Sequence, residues 1–204
     1  MITGPRYKKA KKLGASVFEK TQSQKFALRS QNDNKKVGPK KRKAGSEFGA
    51  QLLEKQKARV TYGLGEKQFK NYIKKILSKK GVNTTEELIK MLEGRLDNVI
   101  FRLGFAKSRQ ASRQMVNHGH ININGARQSI PSFQVKMGDI ITIRESSKDK
   151  TLFKDLDEKL KDAKVPSWLA FDTSKKEGKV QGSPKMTPAE INFDIQAIFQ
   201  YYNR

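Results

Sequence analysis

The chain has 204 residues, no cysteine, and 43 lysines and arginines against 20 acidic residues, a formal charge of +23. The length accommodates one large domain or two small ones with real cores, and the missing cysteines exclude disulfides, thiolate zinc sites and cysteine nucleophiles. So lopsided a charge opposes folding by self-repulsion unless a polyanion neutralises it, which puts nucleic acid first and an anionic membrane second. The membrane reading is the weaker. No apolar run approaches the ~20 residues that span a bilayer. The basic start, MITGPRYKKAKKLG, leads into no apolar segment of the kind a secretory signal carries, and the chain reads as intracellular.

Residues 1–45 read as an extended basic arm. Lys8, Lys9, Lys11 and Lys12 form one cluster, and Lys40, Lys41, Arg42 and Lys43 a second. The polar stretch between them offers too little apolar surface to offset its own ordering entropy, so it is expected to order on a partner. The bland alternative is a solvated tail. Periodicity begins at Ser46, an N-cap for a helix whose apolar side is Phe48, Leu52, Leu53 and Val60. A second helix follows Gly65 with Phe69, Ile73, Ile76 and Leu77. A third opens on the capping box Thr84-x-x-Glu87 and carries Leu88, Met91 and Leu92. A fourth, Arg95 to Leu103, presents Leu96, Val99, Ile100 and Leu103.

Ser108 caps the next helix, SRQASRQMVNHG. With Arg109 at zero on a helical wheel, Arg113, Asn117 and Gln110 fall within about 100° of it and make one cationic, polar face. Ala111 and Met115 point the other way, while Val116 falls beside the arginines and spoils the wheel. Ile121 and Ile123 then alternate with polar residues up to Asn124-Gly125, the strongest short hairpin signal. Ile140 to Ile143 is another strand. KDKTLFKDLDEKLKDAK, residues 148–164, reads as a charged helix. Trp168 to Phe171 and Lys179 to Gln181 read as paired strands, and Ala189 to Tyr202 as a packed C-terminal helix.

The case for an enzyme is thin. No P-loop, dinucleotide fingerprint or HExxH is present, and Gly63-Leu-Gly65-Glu-Lys67 is too short for a phosphate loop. His118 and His120 are the only histidines and the nearest acid in sequence is Asp139, so neither a metal nor a cofactor is expected. Arg109 and Arg113 can instead each grip a phosphate bidentately. Composition leaves RNA and DNA both open.

Residues 94–145, GRLDNVIFRLGFAKSRQASRQMVNHGHININGARQSIPSFQVKMGDIITIRE, closely resemble the RNA-binding module named after small ribosomal subunit protein four. That module also occurs in pseudouridine synthases, tyrosyl-tRNA synthetases and a heat-shock protein. The flanks decide between them. GPRYKKAKKLG, LLEKQKARVTYGLGEKQFKNYI, LEGRLDNVIFRLGF, VPSWLAFD and IFQYYNR are similar, in order, to the bacterial-type ribosomal family itself. The chain is thus identified as a zinc-free member, and residues 16–45 match that pattern poorly. The resemblance implies an α+β fold: a mainly helical domain (46–93, completed by 189–204) interrupted by a helix-plus-antiparallel-sheet RNA-binding module (94–157), with an extension (158–188) and a basic arm (1–45). It also implies early binding to the five-prime domain of small-subunit ribosomal RNA and contact with small-subunit protein five. A place where messenger RNA enters, an influence on decoding accuracy, and a bacterial cytoplasmic ribosome complete the implication, with an organellar ribosome as the alternative. An RNA-modifying enzyme and a free RNA chaperone or translational repressor are the rivals.

The expected mechanism is distributed neutralisation of phosphates at an RNA junction. In the arm the candidates are Arg6, Lys8, Lys9, Lys11, Lys12, Lys41, Arg42 and Lys43. In the helical domain they are Lys55, Arg59, Lys67 and Lys70. In the module they are Arg95, Arg102, Lys107, Arg109, Arg113, Asn117, His118 and Arg127.

Overall fold

The computed structural model describes residues 5–36, 46–148, 150, 153, 165–172, 175–187 and 190–204. It is a mixed α+β protein of two compact units, Met1–Thr85 with Thr187–Arg204, and Glu86–Met186.

In the first unit, residues 5–36 depart from the extended arm. They form helices α1 (Arg6–Leu13) and α2 (Gln24–Lys36), joined by short 3-10 turns at Ala15–Val17 and Glu19–Thr21. The physical reason is a small core that charge counting overlooked. Ala10, Leu13, Val17, Phe18 and Phe26 bury together with Val60 and Leu53 of the next helix. Tyr7 stacks on Phe26 at 5.9 Å. The second basic cluster, with Lys41, Arg42 and Lys43, lies outside the described residues.

Helix α3 (Glu47–Thr61) starts where its cap predicts, with Ser46 Oγ accepting the Gly49 amide at 3.2 Å. Its expected apolar residue Phe48 is nearly half exposed and instead packs on Tyr201. Helix α4 (Glu66–Leu77) buries Phe69, Ile73 and Ile76, while Leu77 faces out. Helix α5 (Thr84–Glu93) begins one residue earlier than the capping box implies. Asn83 Oδ1 accepts the Thr85 amide at 3.1 Å, which makes Asn83 the cap.

The second unit holds α6 (Leu96–Arg102), α7 (Arg109–Asn117), strands β1 (Ile121–Ile123), β2 (Ala126–Gln128) and β3 (Ile140–Ile143), the short helix α8 (Glu145–Lys148), and strands β4 (Leu169–Asp172) and β5 (Glu177–Val180). The five strands make one antiparallel sheet, ordered β2-β1-β3-β5-β4. β5 pairs with β3 and with β4, so these two strands of the predicted module extension continue the module's sheet. Alternation works as predicted: Ile121, Ile123, Ile141 and Ile143 turn inward and meet Leu96, Val99 and Ile100 of α6 and Met115 and Val116 of α7 in one core. The β1–β2 turn has positive φ at both Asn124 (50°) and Gly125 (81°), the signature of a type I′ hairpin. Of the predicted charged helix at 148–164, only Lys148, Lys150 and Phe153 lie within the described residues, and Phe153 is buried in the module core.

The C-terminal helix α9 (Ile195–Tyr202) belongs to the first unit and packs on α3. It starts later than predicted because Asp194 caps it, accepting the Gln196 and Ala197 amides at 2.8 and 3.2 Å.

Candidate nucleic-acid interface

Ser108 Oγ accepts the Ala111 amide at 3.3 Å and so sets Arg109 as the first residue of α7. Ser112, Met115 and Val116 are buried, and Ala111 packs against the core. The buried arc is therefore wider than the wheel allowed and reaches Val116, immediately beside Arg109. Arg109 is drawn inward as a result. Its guanidinium lies 4.4 Å over the Phe101 ring, and its Nε donates to Asn98 Oδ1 at 2.8 Å. Arg113 and Gln110 are half-buried, and Asn117 and His118 are exposed.

Behind Arg109 stands a buried carboxylate. Asn98 Nδ2 donates to Glu93 Oε2 at 2.8 Å and to the Glu93 carbonyl at 3.2 Å. Arg102 grips the same group, Nε to Oε2 at 2.8 Å and Nη2 to Oε1 at 3.2 Å. Glu93 is fully buried, so its charge needs such partners. The relay Arg102–Glu93–Asn98–Arg109 fixes two planar cations before any ligand arrives. Ordered side chains lose less entropy on binding.

The hairpin adds a second cationic zone. Arg127 sits opposite Asn122 on β2, and its guanidinium packs against Gly119, where φ is +69°. A Cβ at 119 would occupy the guanidinium's space. His118 and His120 rings lie 5.9 Å apart, and His120 Nδ1 meets Ser147 Oγ at 2.9 Å. Burial, then the charges of Lys150, His118, Arg144 and Arg127, hold His120 below the ordinary histidine range. Those charges report a positive field to which Arg144 and Lys150 contribute, two residues that motif reading passed over. Among the described residues no cluster of three His, Asp or Glu groups could hold a metal ion. Nor is any helix there long and apolar enough to cross a membrane.

Two expected phosphate ligands are corrected. Arg95 is fully buried, with Nε to Asp97 Oδ1 at 3.0 Å and Nη2 to Asp97 Oδ2 at 2.6 Å, so it cannot reach a phosphate. Lys55 is also buried. Its Nζ lies 2.7 Å from Glu66 Oε1 and 4.4 Å over the Tyr201 ring, tying α3 to α4 and α9. Burial alone would raise the Glu66 carboxyl. Hydrogen bonds from Lys55 and Tyr202, with the charges of Lys55 and Arg59, outweigh it and hold the group below the usual carboxylate range. Tyr202 is pushed well up, by burial first and then by Glu66. Arg59 approaches the same carboxylate at 3.5 Å and is half-buried. Arg6, Lys8, Lys11 and Lys12 on α1, Lys67 and Lys70 on α4, and Lys107 ahead of α7 are exposed, whereas Lys9 is half-buried. Sequence reading missed Glu93, Asn98, Phe101 and Asp97, because acids and an aromatic inside a basic helix pair carry no motif of their own.

Residues 94–141 match the S4 domain, and residues 1–93 match the ribosomal protein S4/S9 N-terminal domain. The small ribosomal subunit protein uS4 of Parabacteroides distasonis is 41% identical over 204 residues, covering 99% of this chain and 98% of that one. The Chloroflexus aurantiacus uS4 is 38% identical over 203 residues, covering 98% of each. The Syntrophomonas wolfei uS4 is 44% identical over 167 residues, 82% of this chain and 79% of that one. With both parts matched in order and relatives aligned end to end, the chain belongs to the small ribosomal subunit protein uS4 family.

Proposed function

We propose that this chain is a structural constituent of the small ribosomal subunit. In this reading it binds a helical junction in the five-prime domain of the ribosomal RNA, joins early in assembly, and tunes decoding accuracy through the junction it holds. The family is one of structural ribosomal proteins and not of enzymes. Small-subunit protein five is its proposed neighbour, and messenger RNA passes nearby. The relatives named above are bacterial, so the proposed setting is a bacterial cytoplasmic ribosome.

The observation that carries the RNA reading is the relay from Glu93, which holds Arg102 and Arg109 in place at the edge of a helix whose next two turns add Arg113 and Asn117. A junction is recognised by shape and by phosphate position, which calls for rigid cations at fixed spacing. The test is filter binding of the full chain to a transcript of the five-prime domain. Arg109→Glu with Arg113→Glu is expected to weaken binding at least ~100-fold, the scale of reversing two charge-assisted phosphate contacts. Near-wild-type affinity from a double variant with an unchanged circular dichroism spectrum sinks the reading.

A further inference from the structure

In the first unit, α1 and α3 enclose a groove of about 400 Å³. Its apolar lining is Leu13, Leu52, Leu53 and Val60. Lys9, Lys12 and Arg59 stand around it with Gln56, and among the described residues no carboxylate lines it. Arg59 is already positioned there by Gln56 Oε1 at 2.6 Å. The cluster Lys8, Lys9, Lys11 and Lys12 shows only charge in the sequence, and the interface described above makes no use of the apolar trough beside it.

An apolar trough ringed by Lys9, Lys12 and Arg59, with Glu66 lying 3.5 Å from Arg59 outside the lining, matches a ligand that is flat and apolar in one part and anionic in another. Duplex RNA does not fit that description, because its bases are stacked inside and only sugar and phosphate face outward. An unpaired nucleotide does, since its base face is apolar and its phosphates are charged. The volume lies at the low end of the roughly 300–1,000 Å³ that holds small ligands, enough for a single base. We propose that this groove takes one unpaired nucleotide of the small-subunit ribosomal RNA. Its base lies on the half-buried Leu52 and Leu53, above the buried Leu13 and Val60 that floor the groove, and its flanking phosphates lie against Lys9, Lys12 and Arg59. The inference rests on the RNA-binding function proposed above and names a second, single-stranded contact for it.

The test is base-reactivity probing of a five-prime-domain transcript bound to the full chain. Leu52→Trp fills the groove, Leu52→Ala widens it while keeping it apolar, and Lys12→Glu reverses an exposed rim charge. With the wild type, one or two adjacent unpaired nucleotides are expected to be protected. Leu52→Trp and Lys12→Glu are expected to restore reactivity at those same nucleotides, leave the rest of the footprint unchanged, and weaken binding ~10-fold, the scale of losing one base contact. Leu52→Ala is expected to retain the protection. If Leu52→Trp fails to fold, Lys12→Glu on the helix surface carries the test. A complete footprint in which no nucleotide responds to either variant overturns the groove assignment and leaves the proposed function standing. Absence of any wild-type footprint overturns both. A response seen only after neighbouring ribosomal proteins are added assigns the groove to a protein side chain and also overturns the inference.

Discussion

Arg95 is fully buried against Asp97, whereas Arg109 lies half-buried over Phe101, and that difference separates a scaffold cation from one a ligand can still reach. Removing one partner of a buried pair leaves an uncompensated charge. Asp97→Ala is therefore expected to cost about 3 kcal/mol in urea denaturation. A loss below about 1 kcal/mol contradicts the assigned role, being the scale of an exposed pair. His120 makes the opposite use of its surroundings. Its folded-state affinity for protons is depressed, by burial first and then by Lys150, His118, Arg144 and Arg127. Below the ordinary histidine value of 6.5 the unfolded chain takes up a proton that the folded chain resists, so stability falls as pH drops through that region and levels off below the folded value. His120→Gln is expected to make the urea midpoint flatter between about pH 7 and pH 5.5, a window set by the usual histidine range. An unchanged slope removes His120 as its source.

Element starts and turns follow from neighbours within a few residues, which is why Ser46, Ser108 and the Asn124-Gly125 turn read correctly from the chain. Asn124 nevertheless does more than tolerate a positive φ. Its Nδ2 donates to Asp139 Oδ1 at 2.9 Å, and its Oδ1 accepts the Ile140 amide at 2.9 Å, pinning the hairpin tip to β3. Asn124→Ala combines a strained backbone with the loss of both bonds, an expected cost of about 2 kcal/mol with weakened hydrogen-exchange protection at Ile140. Protection equal to the wild type argues that the turn is held elsewhere. Helices α1 and α2 went unread because their apolar residues are sparse. Ala10, Leu13, Val17, Phe18 and Phe26 make a core only once Val60 of α3 is beside them. The pairing of β3 with β5 was equally hidden, since the strands lie far apart in sequence and no turn joins them.

At the scale of the molecule, the +23 charge sets how binding responds to salt. Each neutralised phosphate contributes about 0.9 to the slope of log affinity against log salt on duplex and about 0.7 on single strands. Affinity for the five-prime-domain transcript is expected to fall linearly on those axes. The slope for Arg109→Glu with Arg113→Glu is expected to be shallower by about 2, one unit for each lost contact. Equal slopes show that the two arginines do not meet phosphate. The chain by itself determined composition, charge, the caps at Ser46 and Ser108, the hairpin turn and strand alternation, because each depends on residue type or on contacts a few positions away. The ordered motifs resembling the ribosomal family were legible for the same reason. Which cations serve the surface was decided only by tertiary structure. Glu93 reaches Arg102 and Asn98 through the turn between α5 and α6, and Arg95 meets Asp97 beneath the loop at 131–134 that hydrogen-bonds the start of α6. A lysine or arginine looks the same in sequence whether it faces water or a buried carboxylate, and only the fold brings that carboxylate to it.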